Sequence, residues 1–255
     1  MSNSDIIIER NKGYYVLYDS SLNESIHPTV DKELPIKKLF DPTFLKTQQL
    51  VNKIAQGRGE TVFFNFDKAP LVLRHYHRGG LAAKISSDSY LWLGLKRTRA
   101  YRELAILLEL SKSHLPVPKP FAARVIHSGC YYRADIITHV IANAETLSQR
   151  LQEGAIGHTV WQTIGKTIAT FHQKGVYHAD LNANNIMLNK SSEVFIIDFD
   201  KARFQDPSNT SWQQQNLQRL RRSLVKLSKN SAVFHFDENN WAQLRQSYDK
   251  ALSYA

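Results

Sequence analysis

The chain has 255 residues, 42% of them hydrophobic, which is enough for a substantial core in one large domain or two lobes and excludes a largely disordered protein. Lys and Arg number 33 against 23 Asp and Glu, so the net charge of +10 favours anionic partners, with nucleotide, nucleic acid and anionic lipid all open. The one cysteine, Cys130, excludes an internal disulfide, fits a reducing compartment and, beside apolar and aromatic residues, is predicted to be a core thiol.

The N-terminal part of the chain gives few functional signals. Residues 1–10 lack the basic start of a signal peptide, and no later apolar run approaches the length of a membrane span, so we expect a cytoplasmic protein that can still lie against a membrane. Residues 14–18 have the aromatic and β-branched content of a strand. The next forty residues are interrupted by Pro28, Pro35 and Pro42 and indicate no role.

A glycine-bearing turn precedes a predicted hairpin. Gly57 and Gly59 lead into a strand at 61–64, and a second strand at 71–73 ends at Arg74. Residues without Cβ let backbone N–H groups approach an anion, so the turn suits contact with phosphates. The two glycines are a weak signal alone, and it is the kinase-like pattern around Asp180, described below, that favours contact of Gly57 and Gly59 with ATP phosphates. Two glycines are also typical of a plain hairpin turn, which is the alternative that the local sequence leaves open.

Two basic residues compete for one role in this region. Arg74 stands at the end of a predicted strand, and Lys84 follows the 78–80 turn within a local excess of positive charge. Kinases normally use a Lys to hold the nucleotide phosphates, whereas an Arg holds phosphate with its planar fork. We predict that Arg74 contacts the ATP phosphates and keep Lys84 as the alternative.

A helix is predicted over residues 97–110, because apolar residues recur there at spacings of three and four. Glu103 lies beside this stripe. A kinase needs such a helix to carry a Glu that pairs with the phosphate-holding base, so Glu103 is predicted to pair with Arg74. Two further strands are predicted at 121–126 and 131–138, after which the chain passes into a linker between two lobes.

The pattern His-x-Asp-x-x-x-x-Asn is the strongest functional signal in the chain. A helical stripe between Gly157 and Gly175 leads into it, and Asp180 and Asn185 take its Asp and Asn positions. In kinases this Asp accepts the proton of the attacking hydroxyl and this Asn holds a metal ion. A second apolar run ends at Asp198, which is predicted to hold Mg²⁺ between ATP phosphates. The alternative is a loop of solvated polar residues.

Two helices are predicted to complete the chain, at 211–229 and 237–253. Leucines recur at three- and four-residue spacings in the first helix, and basic residues fall on its other side, namely Arg219, Arg222, Lys226 and Lys229. Each Lys or Arg near an anionic lipid surface adds about 1 kcal/mol, so this basic face is predicted to bind lipid phosphates. The alternative is that the basic face only meets water.

Nine short stretches together carry a family resemblance: Gly57–Gly59, Leu71–Tyr76, Arg78–Leu81, Lys84–Ser86, Arg99–Leu104, Leu115–Pro118, Tyr132–Asp135, His178–Ala183 and Ile197–Asp200. With them the sequence resembles the Kdo kinase branch of the lipopolysaccharide core kinases. The catalytic pattern alone identifies only the kinase superfamily, whereas the local sequences around Arg78 and Ala179 are more specific. Three positions depart from the general kinase pattern, since Arg74 and Asn182 stand where Lys is usual and Asp200 replaces a Gly.

The resemblance implies an α+β, bilobal protein-kinase-like fold, with an N-terminal antiparallel sheet and one main helix in residues 1–138 and a mostly helical lobe in 139–255. It also implies transfer of the ATP γ-phosphate, with Mg²⁺, to the 4-hydroxyl of a Kdo (3-deoxy-D-manno-octulosonic acid) residue on a lipid A precursor. The expected location is the cytoplasmic face of a bacterial inner membrane, against whose anionic surface the enzyme lies peripherally. No nucleic acid is expected as a partner.

Three other functions compete with this one. A protein kinase shares the catalytic pattern, but the chain ends within sixty residues of Asp198 and offers no Ala-Pro-Glu segment with which to hold a peptide. Small-molecule kinases of the aminoglycoside or choline type share it too, yet they generally carry acidic pockets, whereas this chain is basic. An inactive nucleotide-binding scaffold is disfavoured because Asp180, Asn185 and Asp198 are intact.

Overall fold

A computed structural model describes residues 6–20, 36–56, 60–77 and 88–253. The chain divides into two compact units, one formed by the residues up to Glu109 together with Lys119–Val140 and the other by Leu110–Pro118 together with the residues from Ile141 onward. An antiparallel sheet in the first unit and several helices in the second confirm the predicted α+β class. Gly57, Gly59 and Lys84 lie outside the described residues.

The first unit is built on an antiparallel sheet. Its strands are β1 (Ile6–Asn11), β2 (Tyr14–Asp19), β3 (Val51–Gln56), β4 (Glu60–Phe66), β5 (Ala69–His75), β6 (Tyr90–Leu91), β7 (Pro120–Ser128) and β8 (Tyr131–His139). The strand order is β1-β2-β7-β8-β5-β4-β3, and β6 pairs with β8. The alternation of Leu71 and Leu73 with Val72 and Arg74 turns the leucines to one face of β5 and Arg74 to the other.

Residues that the sequence left without a role cover the leucine face of this sheet. A 3-10 helix (Ile36–Phe40) and helix α1 (Pro42–Thr47) place Leu39, Phe40 and Leu45 in a core with Leu71 and Leu73. Helix α1 begins where the Asp41 side chain accepts a hydrogen bond from the Thr43 N–H at 2.9 Å, with proline at the first helical position. This face of the sheet is therefore a packed core.

Helix α2 (Arg99–Lys112) confirms the helix predicted at 97–110. Its first turn is capped by the Thr98 hydroxyl, which accepts a hydrogen bond from the Tyr101 N–H at 3.3 Å. Ala100 and Leu104 are fully buried, as the apolar stripe predicts. Glu103 lies next to Leu104 and is also buried, with only 2% of its surface exposed. A buried carboxylate requires polar partners, and these are described with the site.

The second unit contains four helices in its described part: α3 (Leu147–Glu153), α4 (His158–Gln173), α5 (Thr210–Asn230) and α6 (Glu238–Ser253). Its strands are β9 (Ala144–Thr146), β10 (Val176–Tyr177), β11 (Ile186–Asn189), β12 (Val194–Ile196) and β13 (Arg203–Phe204). Strands β12, β11 and β9 form one small sheet, and β10 pairs with β13. The three helices that the sequence predicts in this region correspond to α4, α5 and α6.

Helices α4 and α6 approach each other closely at Gly165. A Cβ atom at this position would lie 2.2 Å from the carbonyl oxygen of Leu244, which is far inside van der Waals contact. The missing side chain therefore allows the two backbones to meet. Beyond this contact, the His172 ring and the Tyr248 hydroxyl hydrogen-bond at 2.8 Å, and the Gln173 amide donates to the Ala251 carbonyl at 2.8 Å.

The prediction for Cys130 is wrong. This residue lies in the turn between β7 and β8, where its side chain faces solvent, because a two-residue turn has no packed side to bury it. Across the described residues, no helix combines the length and the apolar content that a membrane span requires.

Candidate active site

The loop that follows β10 is held in place through His178. The His178 backbone N–H donates to Asn216 Oδ1 on α5 at 3.1 Å, and Nε2 lies 2.9 Å from the Ile197 carbonyl at the end of β12. A carbonyl oxygen can only accept, so Nε2 carries the proton. Nδ1 is then free to accept the Asp180 N–H, which lies 3.3 Å away. Burial lowers the pKa of His178, which keeps the ring in this neutral form.

Polar side chains hold the rest of the loop around Asp180. The Asn182 and Asn185 amides both donate to the Asp180 carbonyl, at 2.8 and 2.9 Å, and Asn182 Oδ1 accepts the Asn184 N–H at 2.8 Å. The Asp180 carboxylate is left outside these contacts, with 52% of its side chain exposed. A rigid backbone therefore presents an accessible carboxylate, which is what a proton acceptor for an incoming hydroxyl requires.

Asp198 stands two residues after the end of β12, in a backbone conformation that few residues adopt. Its φ is +66°, a left-handed value tolerated best by Gly, Asn and Asp. The following Phe199 is fully buried and contacts the rings of His178 and Phe171, with centroid distances of 5.0 and 6.0 Å. The aromatic anchor thus fixes the position of Asp198 relative to the His178 loop.

The donor set formed by Asn185 and Asp198 fits Mg²⁺. The Ile197 N–H donates to the Asn185 carbonyl at 3.0 Å, so the backbones at 185 and 197 are adjacent and Asp198 follows at once. Asn185 uses its amide nitrogen on the Asp180 carbonyl, which leaves Oδ1 as an acceptor. Within the described residues no group of three His, Cys, Asp or Glu side chains could hold a metal. Mg²⁺ usually takes one or two protein oxygens together with substrate phosphates, and these residues supply such a pair.

One face of α5 lies against the loop. Asn216, Arg219 and Ser223 are three and four residues apart and therefore share a face. Asn216 accepts from the His178 N–H, the Ser223 hydroxyl accepts the Ala183 N–H at 3.2 Å, and Arg219 Nη1 lies 3.0 Å from Asp180 Oδ1. The Arg219 contact was not predicted from the sequence, because the two residues are 39 positions apart. The predicted lipid contact of Arg219 stays a prediction.

A buried histidine on α4, His172, lies near Asn216. His172 hydrogen-bonds to the Tyr248 hydroxyl at 2.8 Å, and its ring meets Trp212 edge to face. Burial lowers the pKa of His172 from its ordinary 6.5 to about 4. The neutral ring is therefore part of the folded structure at neutral pH.

We expect acid to weaken the fold through His172. Between pH 6.5 and pH 4 the unfolded chain binds a proton here that the folded chain does not, so the free energy of unfolding falls as pH falls, by about 3 kcal/mol from this residue. Urea unfolding at several pH values between 4 and 7 measures the slope. His172→Gln should have a lower free energy of unfolding than the wild type at pH 7, and this free energy should fall less as the pH falls. Equal slopes in the two proteins would contradict the assignment.

In the first unit, Glu103 receives two hydrogen bonds from one face of the sheet. The Arg74 guanidinium forms an ion pair with Glu103 Oε1, and the Tyr76 hydroxyl donates to Oε2 at 2.5 Å. Arg74 and Tyr76 are two residues apart, so their side chains share a face. The predicted contact between Arg74 and Glu103 is therefore present. Arg74 remains about one third exposed. Its contact with ATP phosphates stays a prediction.

Arg74→Gln is expected to weaken ATP binding by roughly 10- to 100-fold, the effect of losing one charge-assisted hydrogen bond. Lys84→Gln is the matched variant, since Lys84 is the alternative phosphate ligand. Equilibrium titration with a non-hydrolysable ATP analogue gives both dissociation constants. A loss confined to Lys84→Gln would assign the phosphate contact to Lys84 and contradict the role of Arg74.

The basic residues of α5 line a concave surface in the second unit. The leucines at 217, 220 and 224 are buried, as the periodicity predicts. An open depression of about 670 Å³ lies on the exposed side, lined by Gln218, Arg221, Arg222, Val225, Lys226, Lys229, Asn230 and Glu238. We call it the α5 groove. Glu238 pairs with Arg221 at 2.9 Å, which leaves Arg222, Lys226 and Lys229 as the cationic lining.

Comparison with known proteins identifies the family of this chain. The sequence profile of the Lipopolysaccharide kinase (Kdo/WaaP) family matches residues 43–248. The 3-deoxy-D-manno-octulosonic acid kinase of Photobacterium profundum is 39% identical over 222 residues, which cover 87% of this chain and 92% of that protein.

Two more relatives carry the same name. The protein of Vibrio parahaemolyticus is 40% identical over 220 residues, covering 85% of this chain and 91% of its own. The protein of Stenotrophomonas maltophilia is 42% identical over 195 residues, which cover 76% of this chain and 77% of that protein. These matches confirm the resemblance to a family of kinases that the nine stretches indicate, and the chain belongs to the lipopolysaccharide kinase (Kdo/WaaP) family.

Proposed function

We propose that this protein transfers the γ-phosphoryl group of ATP to the 4-hydroxyl of a Kdo residue on a lipid A precursor. The observation that carries the proposal is the exposed carboxylate of Asp180 on a loop fixed by His178 and Asn185. The acceptor follows from the names of the relatives, which are 3-deoxy-D-manno-octulosonic acid kinases. Membership of the kinase family implies ATP as the phosphoryl donor.

Asp180 accepts the proton of the attacking hydroxyl. The hydroxyl oxygen forms a bond to the γ-phosphorus while the bond from that phosphorus to the bridging oxygen of ATP breaks, and ADP leaves with the electron pair. The backbone N–H of Asp180 is held by His178, and its carbonyl by Asn182 and Asn185, so the carboxylate meets the hydroxyl without reorganisation of the loop. Asn185 and Asp198 would hold Mg²⁺, which would supply positive charge against the phosphate oxygens.

Incubation with labelled ATP and a panel of acceptors tests this function. The panel contains a Kdo–lipid A precursor, an aminoglycoside, choline and a peptide. The Asp180→Asn variant serves as the negative control. We expect the Kdo–lipid alone to become labelled. The NMR spectrum of the product should show coupling between the phosphorus and the proton on carbon 4 of the Kdo residue. Transfer to the aminoglycoside or choline would instead assign a small-molecule kinase, and transfer to another Kdo hydroxyl would reject only the regiochemistry.

We further propose that the enzyme works at the cytoplasmic face of the bacterial inner membrane and that the α5 groove binds lipid phosphates there. Arg222, Lys226 and Lys229 line the groove, and their side chains are exposed. Three cations on one surface provide about 1 kcal/mol each near anionic lipid. Arg219 contacts Asp180, so it is left out of the test of this surface.

Charge reversal of the groove, Arg222→Glu with Lys226→Glu and Lys229→Glu, is expected to reduce sedimentation with anionic liposomes and to raise the apparent KM for a lipid-borne acceptor. ATP affinity should not change. The control variant replaces three exposed lysines elsewhere by Glu, namely Lys53, Lys166 and Lys190, and so has the same net charge as the groove variant. High salt should imitate the groove variant, because the Debye length is only about 8 Å at physiological ionic strength. Equal liposome binding by both variants would reject the groove.

A further inference from the structure

The environment of Asp180 contains a cation that the loop itself does not provide. Asn182 stands where general kinases often have Lys, and both ends of its amide are used within the loop, on the Asp180 carbonyl and the Asn184 N–H. Asn182 therefore brings no positive charge to the carboxylate. The charge comes from α5, where Arg219 Nη1 lies 3.0 Å from Asp180 Oδ1.

The guanidinium of Arg219 retains most of its hydrogen-bonding capacity. One nitrogen contacts one oxygen of Asp180, and Arg219 forms no other hydrogen bond with the described residues. Arg carries five N–H donors in a planar fork that matches a carboxylate. With 46% of the side chain exposed, these donors face a region that a ligand can enter.

The position of Arg219 places it on the acceptor side of the reaction. The reacting hydroxyl must come within about 3 Å of the Asp180 carboxylate to lose its proton. A group on the acceptor that lies near this hydroxyl therefore also lies near Arg219. Kdo is an ulosonic acid whose carboxylate is joined to the ring at C2, so only C2 and C3 stand between the carboxyl carbon and the carbon that bears the 4-hydroxyl.

We infer that Arg219 binds the carboxylate of the acceptor sugar and thereby selects an acidic sugar over a neutral one. The inference rests on the proposed function and adds the residue that recognises the acceptor. Asn216 and Ser223, on either side of Arg219 on the same face of α5, hold the loop through its backbone at His178 and Ala183. Because the loop and the helix are joined in this way, the backbones that carry Asp180 and Arg219 keep one relative position.

Paired acceptors test this inference. The first is a Kdo–lipid with its free carboxylate, and the second is the same lipid with the carboxylate converted to its methyl ester. The wild type should prefer the acid by roughly 10- to 100-fold in kcat/KM, the effect of one charge-assisted hydrogen bond. Arg219→Gln should lose this preference, mainly through a higher KM for the acid, so that its kcat/KM values for the acid and the ester become similar. Arg219→Lys should keep part of the preference, because it keeps the charge without the fork.

Arg150→Gln is the matched control. Arg150 is an Arg of the same unit with an acidic partner, Glu145, and 45% of its side chain is exposed. It should show the wild-type preference for the acid. Binding of both acceptors without ATP, followed by calorimetry, gives a readout that does not depend on turnover.

Two outcomes would overturn the inference. If Arg219→Gln slows both acceptors equally and keeps the ratio of acid to ester, the guanidinium acts through Asp180 or on the phosphoryl group. If the wild type does not discriminate between the acid and the ester, no residue recognises the carboxylate of the acceptor sugar. Failure of the proposed function is a different result, in which the wild type does not phosphorylate the free acid while it phosphorylates another member of the acceptor panel.

Discussion

Asp180→Asn is expected to slow phosphoryl transfer by roughly 10²- to 10⁴-fold while ATP affinity stays near that of the wild type. The amide has the shape of the carboxylate but cannot take the proton of the hydroxyl. The loop should persist in the variant, because the contacts that hold it are made by the Asp180 backbone and not by its side chain. Single-turnover rates with the Kdo–lipid acceptor measure the loss.

A second aspartate of the same unit provides the control for this variant. Asp249 pairs with Arg245 on the surface of α6, and 51% of its side chain is exposed, against 52% for Asp180. Asp249→Asn thus removes an equally exposed Asp–Arg ion pair, and its rate should remain within a few-fold of the wild type. A similar rate for Asp180→Asn would remove Asp180 from its catalytic role.

Asp198→Asn is expected to raise the Mg²⁺ concentration needed for half-maximal rate by about 100-fold or more. Loss of a group that only orients a metal ligand costs about 10- to 100-fold, so loss of a charged ligand should cost at least the upper end of that range. Asn is the appropriate replacement because φ is +66° at this position, where Ala would add backbone strain and confuse the result. Initial rates in a Mg²⁺ titration at saturating ATP are the measurement.

Asp67→Asn is the matched control for this experiment. Asp67 is an exposed aspartate with a left-handed backbone, φ +46°, in the turn between β4 and β5. Its Mg²⁺ titration should superimpose on that of the wild type. If the curve of Asp198→Asn superimposes as well, Asp198 does not hold the metal. Asn185→Ala should shift the curve in the same direction, but it also removes the hydrogen bond to the Asp180 carbonyl.

Much of the fold follows from periodic patterns in the sequence. The predicted hairpins are present, because their strands are rich in aromatic and β-branched residues on either side of turn residues. The helices α2, α4, α5 and α6 are present too, because each has apolar residues at spacings of three and four that a single buried face imposes. Residues 36–47 were not predicted. Their 3-10 helix and α1 are too short to show a period, and what orders them is burial of Leu39, Phe40 and Leu45 against the sheet, which local sequence does not record.

The candidate site, too, contains residues that the sequence predicts and a contact that it does not. Asp180, Asn185 and Asp198 could be predicted because two short patterns contain them, and the contact of Arg74 with Glu103 because a strand end and a helix face each identify one partner. Arg219 could be assigned only to a basic face. Its contact with Asp180 depends on how α5 packs on the loop, through Asn216 and Ser223, and a single sequence carries no signal for that packing.

The exposed thiol in the turn between β7 and β8 has a practical consequence. Cys130 is the chain's one cysteine, so a maleimide dye will attach to a single defined position without the removal of any native residue. The Trp92 N–H donates to the Cys130 carbonyl at 2.9 Å, which ties the labelled backbone to its neighbour. Fluorescence anisotropy of such a conjugate would report vesicle capture in real time, and the same thiol would allow oriented tethering of the native enzyme to a sensor surface.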